Sequence, residues 1–198
     1  MNKLLLGSLL ASLPMASMAS DPFQHVDAYY VSTDFETAGG EDDGSGFGLS
    51  GAFRVGDQAF IDAEYQSAET DDFDIEIDQL RLGLGLHSVE STSGMTFYGQ
   101  VEYLQFELAA PGAGSDDEDG FGLHGGVLIA ATEQLRFKGE LGYLTLDDVD
   151  GLEYTFGATF DITPQFGLFA DYRLSALEDD DNDETDLTDV KLGVSMLF

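Results

Sequence analysis

Val190-Lys-Leu192-Gly-Val194-Ser-Met196-Leu-Phe198 decides the architecture. Val190, Leu192, Val194, Met196 and Phe198 share one parity; Lys191, Gly193, Ser195 and Leu197 share the other. Strict alternation of this kind is a β-strand with one apolar and one mixed face. The sequence stops on the aromatic, as a last strand that closes a sheet on itself would.

Worked backwards from that stretch, the same period recurs. Phe166, Leu168, Ala170, Tyr172 and Leu174 form one apolar face, and Tyr154, Phe156, Ala158 and Phe160 another. Leu135 to Tyr143, Phe121 to Ile129, Phe97 to Tyr103 and Leu80 to Leu86 repeat the pattern, as do Ala59 to Tyr65 and Phe47 to Val55. A first strand covers about Gln24 to Thr33. The spacing therefore predicts ten strands, with eight as the alternative if the first or the eighth is misread. The connections alternate between tight turns (Gly56-Asp57, a Ser-rich turn after His87, Thr132-Glu133, Thr163-Pro164) and acidic stretches. The acidic stretches are 36–45, 69–74, 109–120, 147–150 and 178–186. Short turns on one side and longer loops on the other mark an antiparallel up-and-down transmembrane β-barrel.

Composition bounds the function. The 198 residues hold 7 Lys plus Arg against 39 Asp plus Glu, which argues against nucleic-acid binding through phosphate neutralisation. A chain that is 43% hydrophobic and 12% aromatic is not disordered for want of a core. The absence of Cys removes disulfides, thiolate metal sites and a lipid-attached Cys. At the N-terminus, Lys3, the apolar run Leu4 to Leu13 and the small residues Ser17 and Ala19 form a signal peptide. Cleavage is expected after Ala19, leaving 20–198 as a single barrel domain. A closed barrel is how such a chain, lacking any long apolar helix, spans a membrane.

Six basic residues follow that segment: Arg54, Arg81, Arg136, Lys138, Arg173 and Lys191. Each lies on the parity opposite the apolar set, together with Asp62, Glu64, Glu102, Glu140 and Asp171. A charge facing lipid at mid-membrane costs ~2–4 kcal/mol, so these side chains are expected to pair in the lumen. Inner glycines, among them Gly83, Gly85, Gly122, Gly126, Gly167 and Gly193, are expected to make room for long arginines. On the outer face Tyr65, Tyr103, Tyr143, Tyr154 and Tyr172 gather toward the acidic ends. Phe53, Phe97, Phe137, Phe160, Phe166 and Phe198 gather toward the turns, giving two aromatic belts.

On these features the chain resembles the small single-domain outer-membrane barrel proteins over its whole mature length. Ile77-Asp-Gln79-Leu-Arg81-Leu-Gly83-Leu-Gly85 and the hairpin after it look like the barrels once labelled sulfation-dependent quorum factors. The resemblance implies an outer-membrane location in a Gram-negative bacterium and carries over no functional residue. The terminal alternation Val190, Leu192, Val194, Met196, Phe198 looks like the signal read by the outer-membrane assembly machinery. The implied partners are therefore that machinery, periplasmic chaperones, the lipid bilayer and lipopolysaccharide, with the barrel a monomer.

Past the Tyr belt the polarity inverts: Ile75, Ile77, Leu104, Phe106, Leu144, Leu146 and Leu187 take the inner parity while Glu76, Asp78, Gln105 and Glu107 point out. These apolar residues are expected to form a cluster inside the external mouth. His124, inner-facing near that end, is the one weak catalytic candidate, with an acid from 116–119. Asp179-x-Asp181-x-Asp183 starts like a calcium loop, but Glu184 replaces the required Gly and Val190 the required Glu. No metal site or cofactor is expected beyond loosely held divalent cations. The leading expectation is a non-enzymatic barrel with a structural or surface-interaction role and a blocked lumen. A narrow porin-like channel for cations or small solutes is the alternative, and a rim enzyme or hydrophobic-ligand binder the third. If Phe198 belongs to the assembly signal, Phe198→Ser should leave a periplasmic, protease-sensitive chain. Normal heat-modifiable folding and normal outer-membrane yield of that variant would count against the assignment.

Overall fold

The computed structural model describes residues 21–37, 40–71, 75–110, 114–147, 149–179 and 184–198. The segment read as a signal peptide, with its cleavage site, lies outside them, as do Asp181 and Asp183. Ten strands form: β1 His25–Thr37, β2 Gly40–Arg54, β3 Ala59–Thr70, β4 Glu76–His87 and β5 Met95–Ala110. They are followed by β6 Gly114–Ala130, β7 Leu135–Leu146, β8 Val149–Thr163, β9 Phe166–Asp179 and β10 Glu184–Leu197. Each pairs antiparallel with its sequence neighbours, and β10 returns to pair with β1, with Ala28 opposite Val194. The barrel is closed, and eight strands is excluded.

Facing follows parity. Phe47, Leu49, Leu82, Leu84, Leu86, Leu123, Leu141, Phe156, Leu192 and Val194 are exposed on the outer wall. Tyr29, Val31, Arg81, Glu102, His124, Ser175 and Lys191 are buried on the inner one. Phe198 packs on Phe53 with ring centroids 5.5 Å apart, so the terminal aromatic joins the turn-side belt.

The acidic stretches differ from the loops expected of them. Glu36 and Thr37 belong to β1, Glu41 to Ser45 to β2, Asp117 to Gly120 to β6, and Asp186 to β10. The strands run to 12–17 residues, beyond the ~9–11 that a tilted membrane-spanning strand needs. The excess projects at the acidic end. It still pairs as sheet because its inner face buries apolar residues such as Leu104, Leu144 and Leu187, while most of its carboxylates, the buried Asp42 apart, keep contact with water. Like charges nonetheless meet across the ladder, as in Asp34 opposite Asp43 and Glu36 opposite Glu41. The same occurs at Glu69 and Glu76. Such pairs are unfavourable, which is why alternation alone under-called these segments. The two ends thus differ in strand overhang rather than in loop length.

Inner glycines make room for rings and carboxylates rather than arginines. A Cβ at Gly85 would fall on the Phe60 ring, at Gly126 on Tyr98, at Gly142 on His124 and at Gly83 on Asp62. In each case the glycine lies directly across the ladder from the group that covers it. Among turns, Gly56 (φ 88°) and Gly94 (φ 74°) adopt left-handed backbone that other residues resist.

Leu84 is 62% exposed on the outer wall. Leu84→Arg should therefore lower the folded fraction in liposomes by an amount corresponding to ~2–4 kcal/mol. Gly85→Ala is not neutral either: with Phe60 in place it should cost ~1–3 kcal/mol by overpacking. Combining it with Phe60→Leu should recover part of that loss, while the same change should do nothing for Leu84→Arg. A urea-midpoint double-mutant cycle tests both facings.

Candidate functional site

The lumen is built in layers. Its centre is Arg81 on β4, 1% exposed, which donates two hydrogen bonds to Glu153 of β8 at 2.9 and 2.7 Å. Its Nη1 also lies 3.5 Å from Glu102 Oε2 on β5. Arg173 on β9 makes a second fork to Glu64 on β3, both bonds 3.0 Å, and Lys191 on β10 also bonds Glu64. Lys191 Nζ sits 5.0 Å above the Tyr29 ring. Asp189, which the parity of Lys191 places inside, accepts from Thr33 at 2.7 Å and Gln66 at 3.1 Å. Buried charges persist only when paired and hydrogen-bonded.

Toward the turns, Lys138 bonds Asp171 at 2.8 Å, and Arg136 lies 3.5 Å from Asp161. Tyr98 donates to Glu140 at 2.7 Å. Asp62 lies over Gly83, its Oδ1 without a hydrogen bond. Arg54 stands apart from the lumen set: it is exposed at the end of β2, bonded to Asp21 and to the carbonyl of Asp57.

His124 is not at the rim. It is 3% exposed, with Nε2 3.1 Å from Glu102 and Nδ1 3.7 Å from Glu140 and 3.8 Å from Glu153. Asp117 and Asp119 are exposed, and the side chains of 114–116 lie outside the described residues. The pairing of His124 with an acid of 116–119 is therefore replaced by three deeper glutamates. Of these, Glu153 was not singled out from the sequence, although Tyr154 outside implies Glu153 inside.

Side chains pack inside both ends of the barrel. At the acidic end Leu104, Phe106, Leu144, Leu146, Leu177 and Leu187 form one buried cluster, with Phe35 and Val149 packed against it. Ile77 is buried but outside this cluster, and Ile75 is only partly buried. Arg81 joins the layers, its guanidinium 5.9 Å from the centre of the Phe106 ring. At the turn end Phe23, preceding β1, stacks on His87 at 4.4 Å and packs on Phe60 at 4.6 Å, with Tyr98 edge-on at 5.9 Å. Beside it lies a polar cavity of about 100 Å³ lined by Asp27, Lys138, Asp171 and Ser195, room for a few waters. The chemistry assembled here is charge pairing and apolar packing.

The outer membrane protein beta-barrel domain family matches residues 4–151. No curated protein matches the sequence. Among solved structures, the Neisserial surface protein A shares 14% identity at a TM-score of 0.53, covering 88% of this chain and 96% of that one. The attachment invasion locus protein of Yersinia pestis shares 14% at 0.46, covering 88% and 97%. A monoaromatic hydrocarbon channel shares 9% at 0.44, covering 84% and 56%. At these identities the likeness is one of fold.

If the Arg81–Glu153 fork holds the lumen together, Arg81→Met should cost ~3–5 kcal/mol by stripping a buried carboxylate of its bidentate partner. Lys138→Met, whose partner is nearer solvent, should cost clearly less. Equal urea midpoints for the two variants in detergent would contradict this layering.

Proposed function

This chain belongs to the outer membrane protein beta-barrel domain family, and on that premise we propose that it is a closed barrel with a structural or surface-interaction role rather than a conduit. It resides in the outer membrane of a Gram-negative bacterium. The observation that carries the reading is the double closure of the lumen. Leu104 and Leu144 are fully buried at one mouth, Phe23 and Phe60 nearly so at the other, and the space between holds paired charges. Small barrels are filled by their own side chains, and aqueous channels open at about sixteen strands. Ten strands leave an interior that these residues occupy.

The acidic overhang is then the part offered to the outside. Its carboxylates at Asp34, Glu36, Glu41 and Asp43 lie where the headgroups of lipopolysaccharide and their bridging cations would meet it. In this reading its partners are the bilayer, lipopolysaccharide and loosely held divalent ions. Assembly proceeds through periplasmic chaperones and the outer-membrane assembly machinery acting on the β10 ending. The barrel works as a monomer without catalysis.

In planar bilayers the wild type should show little or no steady conductance. The Phe106→Ala, Leu144→Ala double variant should show a measurable rise if the apolar cluster is the constriction. Large, stable, cation-preferring wild-type conductance would overturn the closed-barrel reading and favour a narrow channel.

A further inference from the structure

We propose that the lumen holds one divalent transition-metal ion, of the zinc type, ligated by His124 Nδ1, Glu140 and Glu153. The three come from adjacent strands β6, β7 and β8, and their candidate ligand atoms lie within 4.8 Å of one another. The imidazole is the informative member. Its side chain is 1% exposed, and Nδ1 makes no hydrogen bond. Nδ1 points between the two carboxylates, 3.7 Å from Glu140 Oε1 and 3.8 Å from Glu153 Oε1. A tetrahedral ion with ligands at about 2.0–2.1 Å holds them roughly 3.3 Å apart. Each imidazole–carboxylate separation would shorten by about half an ångström, and the two carboxylates, within 4.8 Å of each other, would close by rotation of their side chains.

The surroundings are those of ligands oriented from behind. Glu102 lies 3.1 Å from Nε2, on the far side of the ring. A carboxylate there fixes the Nε2–H tautomer and leaves the Nδ1 lone pair for a metal. Tyr98 donates to Oε2 of Glu140, leaving Oε1 free for the ion. Ser175 and Arg81 bond Oε2 of Glu153. Arg81 also bonds Oε1, whose second lone pair remains available. His124 itself is held by Gly122 and Gly142, neither of which could carry a Cβ beneath the ring.

Charge points the same way. Glu102, Glu140, Glu153 and Asp62 crowd this layer; Arg81 serves it, and Lys138, bonded to Asp171, lies near Glu140 from the turn side. Arg173, 3.9 Å from Glu153, is engaged in its fork to Glu64. A dication would balance what these cations leave. One imidazole with carboxylates suits zinc and its neighbours better than magnesium or calcium, which take oxygen alone.

The test refolds the full barrel chain from urea into detergent micelles with one equivalent of Zn²⁺, then passes it over a chelating column. About one zinc per chain should be retained, with an absorption-edge spectrum showing nitrogen and oxygen ligands near 2.0–2.2 Å. His124→Gln should lower affinity at least tenfold. Asp189→Asn, which removes a lumen charge away from the ligands, should leave stoichiometry unchanged. Heat modifiability on gels verifies folding, and Glu140→Gln, which keeps an acceptor for Tyr98, replaces His124→Gln if that variant fails to fold. No zinc retained by folded wild type would overturn the proposal. Equal retention by wild type and the ligand variants would overturn it too.

Discussion

A strand in hydrocarbon has no water to bond, so each of its N–H and C=O groups must find a partner on a neighbouring strand. That requirement is met only if the last strand returns to the first. Here β10 supplies partners to β1 along its whole length, from His25 opposite Leu197 to Thr37 opposite Thr185. Once the sheet is closed, every side chain has one of two destinations, and the period of two assigns it. The apolar outer wall and the charged lumen are thus consequences of closure.

Closure also dictates what the lumen must be. Most of its charges are buried, so they need one another. The two guanidinium forks, Arg81 with Glu153 and Arg173 with Glu64, tie together strands far apart in sequence. Apolar packing at the mouths covers the Arg81–Glu153 pair almost completely, while the Arg173–Glu64 pair keeps some exposure. The aromatic group at the turn end and the leucine cluster at the acidic end therefore guard the same electrostatics.

Much of this was legible because parity is a strong signal over many strands. The facing of Leu84, the inner set around Arg81 and most of the mouth cluster follow from alternation alone. Leu177 and Asp189 obey the same rule and could have been read. Phe23 could not: it precedes the first strand, where no period exists, and its role depends on Phe60, His87 and Tyr98. The acidic segments misled because carboxylates are poor strand formers, and only their buried inner partners explain why they pair. The grouping of His124 with Glu140 and Glu153 left no local motif, since its members sit on three strands and meet only through register.

The glycines that lie under rings have a consequence for folding. Hydrophobic alternation detects a one-residue slip between strands, because every side chain changes face. It is blind to a slip of two, which preserves the faces. Tyr98 is set against Gly126, and two residues away it would meet His124 or Leu128. His124 is set against Gly142, and its displaced partners would be Glu140 or Leu144. Over each of these a ring would meet a side chain where it now meets bare backbone. The glycines act as a key cut into the inner wall, rejecting the misregistered barrels that the outer wall would accept.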